Sequence, residues 1–209
     1  LSSSAKTVEF RIKPHRSNEN YHLFSLSGSF GPQQHHLILE PYTGDDISSS
    51  LDSDQYGSLK YIMEVDDQQL QHTITEKFPI YNGDFWNIFV GTEITNPDEI
   101  IDSGISTYTP ITFGAYQANH LKNCNYVTAT TENDMGVMKT NINNLLYVAS
   151  AWGLEYSGSG TVTRKGADLC FIGGLPQGGS SGEITSLRYS GSLQEIRYHF
   201  GELLSHETL

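Results

Sequence analysis

Phe85-Trp86-Asn87-Ile88-Phe89-Val90 is apolar on both of its alternating faces, as expected of a strand covered on each side inside a two-sheet sandwich. The runs upstream of it point the same way. Leu59 to Val65 (LKYIMEV), His36 to Leu39 (HLIL) and Tyr21 to Leu26 (YHLFSL) are strand-like, and Gly31-Pro32 marks a turn between the last two. Val8, Phe10 and Ile12 alternate with Glu9, Arg11 and Lys13, which is the period of a half-buried strand. Downstream, Ile111 to Tyr116, Tyr126 to Thr130, Leu145 to Ala151, Thr161 to Thr163 and Leu169 to Ile172 continue the series. Ser192 to Tyr198 closes it; Leu193 and Ile196 stand three apart there, which breaks period two and predicts a bulge. Helical signal is confined to one turn over Asn141 to Leu146 and one or two over Gly201 to Leu209.

The expected fold is therefore all-β: a two-sheet antiparallel β-sandwich of jelly-roll type with a short C-terminal helical turn. The polar segment Asp45 to Asp54 (DDISSSLDSD) reads as a surface loop and no linker or fixed-period repeat divides the chain, so residues 1–209 are expected to be one domain. Composition agrees. The 209 residues carry only 17% charged side chains, with 20 Gly and 12 Tyr, a poor recipe for a helical bundle and a fair one for strands and turns. Twelve Lys and Arg against 24 Asp and Glu leave a net charge of -12. That acidity argues against nucleic acid as a partner, because phosphate neutralisation needs clustered cations. No apolar run approaches the roughly 18–20 residues of a membrane helix, so no membrane span is expected. Leu1 and the run Ser2 to Ser4 read as the start of a processed chain or of one domain of something larger. Cys124 and Cys170 are too few for a disulfide framework; two reduced, partly buried thiols are expected, with a single disulfide as the alternative. None of the 12 Asn lies in an N-x-S/T context, which leans away from the secretory route.

Several segments resemble concanavalin A-like domains of the laminin G and pentraxin type. Asp84 to Val90 is similar to their D-x-W-x-x-V strand, and Phe171-Ile172-Gly173-Gly174 to a later φ-x-I-G-G strand. Tyr189 to Tyr198 (YSGSLQEIRY) looks like the closing F-x-G-x-I-x-E-V-R-I-Y strand, followed by a Leu-Ser pair at Leu204-Ser205. Thr7 to Pro14 resembles the opening strand, with Phe10 where Trp often stands. The set spans nearly the whole chain in order and implies the concanavalin A-like jelly roll of the lectin/glucanase superfamily. The closing segment also looks like domains on structural proteins of large DNA viruses or phages. Independently of any family, Trp86 is expected to anchor the core, Gly191 to turn the chain into the last strand, and Glu195 and Arg197 to share a face.

Candidate chemistry is sparse. Glu64 and Asp66 fit the first two places of the E-φ-D-x-x-E pattern of laminarinase-type glycosidases, but the third falls on Gln68 or Gln69, so the acid/base is missing. Gly178 to Gly182 matches G-x-S-x-G in letters but lies between Pro176 and a strand-like run, so it reads as a hairpin loop. Asp52-Ser53-Asp54 starts like a calcium loop and then fails at Tyr56 and Met63. Asp52 and Asp54 remain the donors to name if calcium binds at a loop rim; no other cofactor is expected. The eight His show no zinc spacing and read as ordinary surface and strand residues, His35 and His36 facing opposite sides. Tyr42, Tyr56, Tyr81, Tyr108, Tyr116, Tyr126 and Tyr156 sit in or beside expected loops, and Tyr42, Tyr56 and Tyr116 are the aromatics proposed for a glycan platform. Tyr is equally a normal filler of sandwich edges. The reading is a non-enzymatic binding or structural module on a virion or extracellular surface, contacting other protein subunits of an assembly. The alternative is a lectin-like glycan binder, calcium-assisted or not, and a weaker one is a laminarinase-type glycosidase.

Overall fold

The computed structural model describes residues 5–27, 34–42, 55–65, 68–73, 77–93, 111–118, 124–130, 152, 169–174 and 187–203. Eleven strands run through these residues: β1 (Ala5–Pro14), β2 (Tyr21–Ser27), β3 (Gln34–Pro41), β4 (Gly57–Val65), β5 (Gln68–Thr73), β6 (Trp86–Glu93), β7 (Ile111–Ala118), β8 (Cys124–Thr130), β9 (Leu169–Ile172), β10 (Leu187–Arg188) and β11 (Gly191–Phe200). The first sheet has the order β11-β1-β6-β7-β8. The second has the order β10-β2-β3-β4-β5, with β9 also on β2. Pairing is antiparallel throughout the first sheet. In the second, only the two-residue contact of β10 with β2 is parallel. The protein is thus an all-β, two-sheet sandwich, and the first and last strands lie side by side.

The alternation read from Val8, Phe10 and Ile12 explains how the layers meet. Those three side chains, with Trp86, Ile88, Val90, Phe113 and Ala115, form the inner face of the first sheet. Phe24, Leu37, Leu39, Leu59, Tyr61 and Met63 form the inner face of the second. Full burial of such side chains is worth about 1.5–3 kcal/mol each. Trp86 is fully buried, its ring edge-on to Phe78 at 5.1 Å, and Trp152 stacks on Phe24 at 5.6 Å.

The expected bulge is present. The β1–β11 register passes from Glu9↔Arg197 to Arg11↔Gln194, which leaves one extra residue on β11 opposite Phe10. Glu195 takes the strain with a φ of 50°, and it is the non-glycine residue with positive φ among the described residues. Gly191 enters β11 with a φ of 148° where any Cβ would collide with the Lys13 carbonyl and the Tyr189 hydroxyl, so only glycine fits the turn.

Several expectations change. β5, with its polar sequence QQLQHT, was not anticipated; it joins the sheet through backbone pairing to β4. Three of the histidines, His22, His35 and His36, are strand residues as expected but fully buried, whereas His15 is at the surface. Tyr116 lies within β7 and is buried, not beside a loop. Gly201 to Leu203 are not helical, and the remainder of the expected C-terminal helical turn lies outside the described residues, as do Asn141 to Leu146, Leu145 to Ala151 and Thr161 to Thr163. Cys170 is free, as expected, on an exposed residue whose thiol is pushed up by burial.

Candidate functional site

Alternation puts Thr7, Glu9 and Arg11 of β1 on the outer face of the first sheet, opposite in sense to Phe10 and Ile12. Cross-strand pairing extends that face in three rows. His199, Thr7 and Gly91 form one, Arg197, Glu9 and Phe89 the next, and Gln194, Arg11, Asn87 and Tyr116 the third.

The chain after β11 covers one end of this face. Thr7 Oγ1 donates to the Glu202 carbonyl at 3.0 Å. A Cβ on Gly91 would lie 2.8 Å from Leu203 Cδ1 and 2.7 Å from Thr7 Oγ1, so the close approach of this segment requires glycine there. The opposite end, around Arg11 and Asn87, is only partly covered.

Glu9 lies between the two ends. It is 2% exposed, and among the described residues it is the buried carboxylate. A buried carboxylate needs partners, and Glu9 has them. The Tyr116 hydroxyl donates to Oε1 at 2.6 Å, Arg197 Nη1 donates to Oε2 at 3.3 Å, and His199 Nε2 stands 3.6 Å from the same oxygen. Arg197 also reaches outward, Nη2 donating to Glu195 Oε2 at 3.2 Å, and Arg11 Nη1 lies 3.7 Å from Glu195 Oε1. The Arg11 guanidinium sits 5.2 Å from the centre of the Phe85 ring, within cation–π range. Phe85 is itself fixed: Gln117 Nε2 donates to its carbonyl at 3.2 Å, and Asn82 Nδ2 donates to Gln117 Oε1 at 3.1 Å. The side chains of Arg11, Arg197 and Glu195 are 38%, 54% and 49% exposed. The arrangement therefore presents planar donors, an acceptor and an aromatic ring on a rigid sheet, braced by one buried charge.

The residues proposed from the sequence fall elsewhere or only touch this site. Tyr116 belongs to it, but its hydroxyl is committed to Glu9. Tyr42 and Tyr56 are brought together at an end of the second sheet, where Tyr42 N donates to the Tyr56 carbonyl at 3.0 Å. Arg16 Nη2 donates to the Tyr42 carbonyl at 3.1 Å, and its guanidinium lies 5.0 Å from the Tyr81 ring centre. Lys77 Nζ lies 5.8 Å from the Tyr42 ring centre. Burial pushes the Tyr81 hydroxyl up to about 12. Tyr42 and Tyr56 thus adjoin each other beside the second sheet, and Tyr116 lies on the first. Asp52 and Asp54 lie outside the described residues, and among the described residues no group of three or more His, Cys, Asp and Glu could hold a metal ion. No helix among them is long and apolar enough to cross a membrane.

A second polar cluster lies on the other sheet. His36 and Ser25 face each other across β3 and β2, Ser25 Oγ standing 3.0 Å from His36 Nδ1 and 3.4 Å from the Gly174 carbonyl. His22 packs edge-on to His36 at 5.0 Å. His35 points the other way, into the core, with Nδ1 2.8 Å from the Tyr61 hydroxyl. Desolvation holds His22 down to about 4 and His35 and His36 to about 3, so all three are neutral at pH 7. Among the described residues Nε2 of His35 and of His36 has no hydrogen-bond partner. With no carboxylate beside it among the described residues and no exposure, the Ser25–His36 pair reads as an interior hydrogen bond rather than a nucleophile and base.

No protein-family model matches the chain, and no curated protein matches it. Among solved structures, the chain is similar to the CBM40 of the Ruminococcus gnavus IT-sialidase bound to alpha2,6 sialyllactose, with 14% sequence identity and a TM-score of 0.45 over 99% of this chain and 81% of that one.

Proposed function

We propose that the protein is a non-enzymatic glycan-binding module and that the outer face of its first sheet is the binding site. One observation carries this reading: Arg11, Arg197, Asn87 and the Phe85 ring converge at the partly covered end of that face over buried Glu9. Saccharides are held by such combinations, in which planar groups exchange paired hydrogen bonds with hydroxyls and a ring packs on the sugar's apolar side. The strands and the Glu9 brace fix these groups before any ligand arrives, which lowers the entropic cost of binding. The non-enzymatic part of the proposal is supported by Gln68 or Gln69 standing where a laminarinase-type third carboxylate would be. A glycan array with and without calcium tests the reading, followed by titration of any hit into Arg11→Ala and Arg197→Ala. Each variant is expected to weaken binding at least about tenfold, the order of a lost charged hydrogen bond. An empty array, or hits indifferent to both substitutions, overturns the site. Detectable turnover of laminarin-type glucans overturns the non-enzymatic part.

A second reading, contact with other protein subunits on a virion or extracellular surface, is favoured by β11. Leu193, Ile196, Tyr198 and Phe200 are all exposed along this edge strand, Ile196 at 56%. Edge strands with apolar side chains are natural places for another chain to pair or pack. Sedimentation that stays monomeric to high concentration, unchanged by Ile196→Lys, counts against it.

A further inference from the structure

Glu195 is an unusual residue for its position. At a bulge in which one residue turns left-handed, glycine is the ordinary occupant, because a Cβ there crowds the backbone. Glutamate gains nothing from a φ of 50° by itself, so the reason for it lies in the side chain. That carboxylate is held between two guanidiniums, Arg197 Nη2 at 3.2 Å and Arg11 Nη1 at 3.7 Å. The ion pairs are half exposed, and exposed pairs stabilise a fold too little to offset backbone strain.

Each arginine has a seat besides Glu195. Arg197 is anchored from beneath by Glu9. Arg11 is seated against Phe85, and its Nε has no partner among the described residues. With the Glu195 side chain turned to solvent, two preset guanidiniums would face outward against the one buried carboxylate of Glu9, a site with net positive charge on an otherwise acidic protein.

We propose that Glu195 is a built-in stand-in for an acidic ligand group: its carboxylate occupies the Arg11–Arg197 pair in the free protein and is displaced by the carboxylate of an acidic saccharide. The inference rests on the reading of this face as the glycan site and adds to it the class of ligand and a residue that competes with it. Affinity is then a difference between two carboxylates for the same pair, so loss of the internal one raises it.

The experiment compares wild type, Glu195→Gln and Glu195→Gly on an array of neutral, carboxylated and sulfated glycans, with glucuronate and glucose titrated into each protein in solution. Glutamine removes the competing charge at nearly constant shape. Glycine suits the left-handed backbone and guards against a variant that fails to fold, with circular dichroism as the check. Carboxylated glycans and glucuronate are expected to bind wild type, about fivefold more tightly to both variants, and more weakly as salt is raised. Glucuronate affinity that is unchanged or reduced in the variants overturns the competition by Glu195. Binding confined to neutral glycans overturns the ligand class while leaving the glycan site standing. Binding of sulfated but not carboxylated glycans keeps the anion pair and overturns the carboxylate. No binding by any of the three proteins overturns both the inference and the site it rests on.

Discussion

Both sheets bury polar side chains on their outer faces, and they do so in opposite ways. On the first sheet the buried group is a charge, Glu9, tied to Tyr116 and to an arginine that reaches solvent. On the second, the buried groups are His22 and His36, kept neutral by desolvation, and Ser25, which meets His36 and the Gly174 carbonyl. A buried charge with a half-exposed partner transmits its field to the surface, whereas neutral imidazoles packed edge to edge do not. The difference separates a face built to present charged groups from one whose polar atoms serve only to fill it.

Acid breaks this contrast most strongly. The three histidines have folded-state values near 4, 3 and 3 against an ordinary 6.5. The unfolded chain therefore binds protons that the folded chain refuses as pH falls below 6.5. Stability contributed by the neutral rings is complete above 6.5 and declines on the way to pH 4. At 1.36 kcal/mol per unit for each group, the loss by pH 4.5 amounts to several kcal/mol, on the order of half a typical domain's stability. Urea unfolding between pH 7.5 and 4.5 measures it, and His36→Gln is expected to flatten the slope by about one group's share. A stability flat across that window would refute the buried, neutral description of these rings.

On the first sheet, Glu9→Gln is the next largest effect. Its amide nitrogen would face the Arg197 guanidinium, donor against donor, while Tyr116 keeps an acceptor only if the amide oxygen stays in place. Breaking a fully buried pair costs about 3–5 kcal/mol; Arg197 is half exposed, so solvent recovers part of that, and a loss of about 2 kcal/mol in chemical unfolding is expected. Tyr116→Phe removes one hydrogen bond to the same carboxylate and is expected to cost about 1.5 kcal/mol. If it costs as much as Glu9→Gln, the Tyr116 bond and not the Arg197 pair holds the face together.

The contrast between the sheets was only half legible in the sequence. Period-two alternation at Val8 to Lys13 places Glu9 and Arg11 on one face, and the three-residue gap from Leu193 to Ile196 marks the bulge. The opposite facing of His35 and His36 was equally readable from parity. What escaped depends on non-local pairing. Glu9 meets Tyr116 across 107 residues and Arg197 across 188, and no local pattern joins them. Choosing aromatics for their nearness to expected loops selected Tyr42, Tyr56 and Tyr116; the last, read as the end of a strand, lies two residues inside it. Burial of His22 and His36 escaped because outward-facing strand positions are normally wet, and nothing in YHLFSL or HHLIL says that the outer face of this sheet is covered. β5 escaped because its pairing uses the backbone, to which a run such as QQLQHT gives no apolar signature.

The smallest effect on stability is the most discriminating. Glu195→Gly removes a Cβ from a left-handed residue, a conformation that costs other residues about 1–2 kcal/mol. Against that gain stand the extra freedom of glycine in the unfolded chain, about 0.5–1 kcal/mol, and two half-exposed ion pairs worth little each. The net expectation is a stability unchanged or raised by about 0.5 kcal/mol, read from the urea midpoint at constant slope. A structural role for the Arg11–Glu195–Arg197 bridge demands the reverse, a clear loss on substitution, because the bridge then has to outweigh the strain it imposes. A gain in stability together with the ordinary β1–β11 register means that the fold tolerates this glutamate rather than requiring it, which leaves its carboxylate available to yield its place between the arginines.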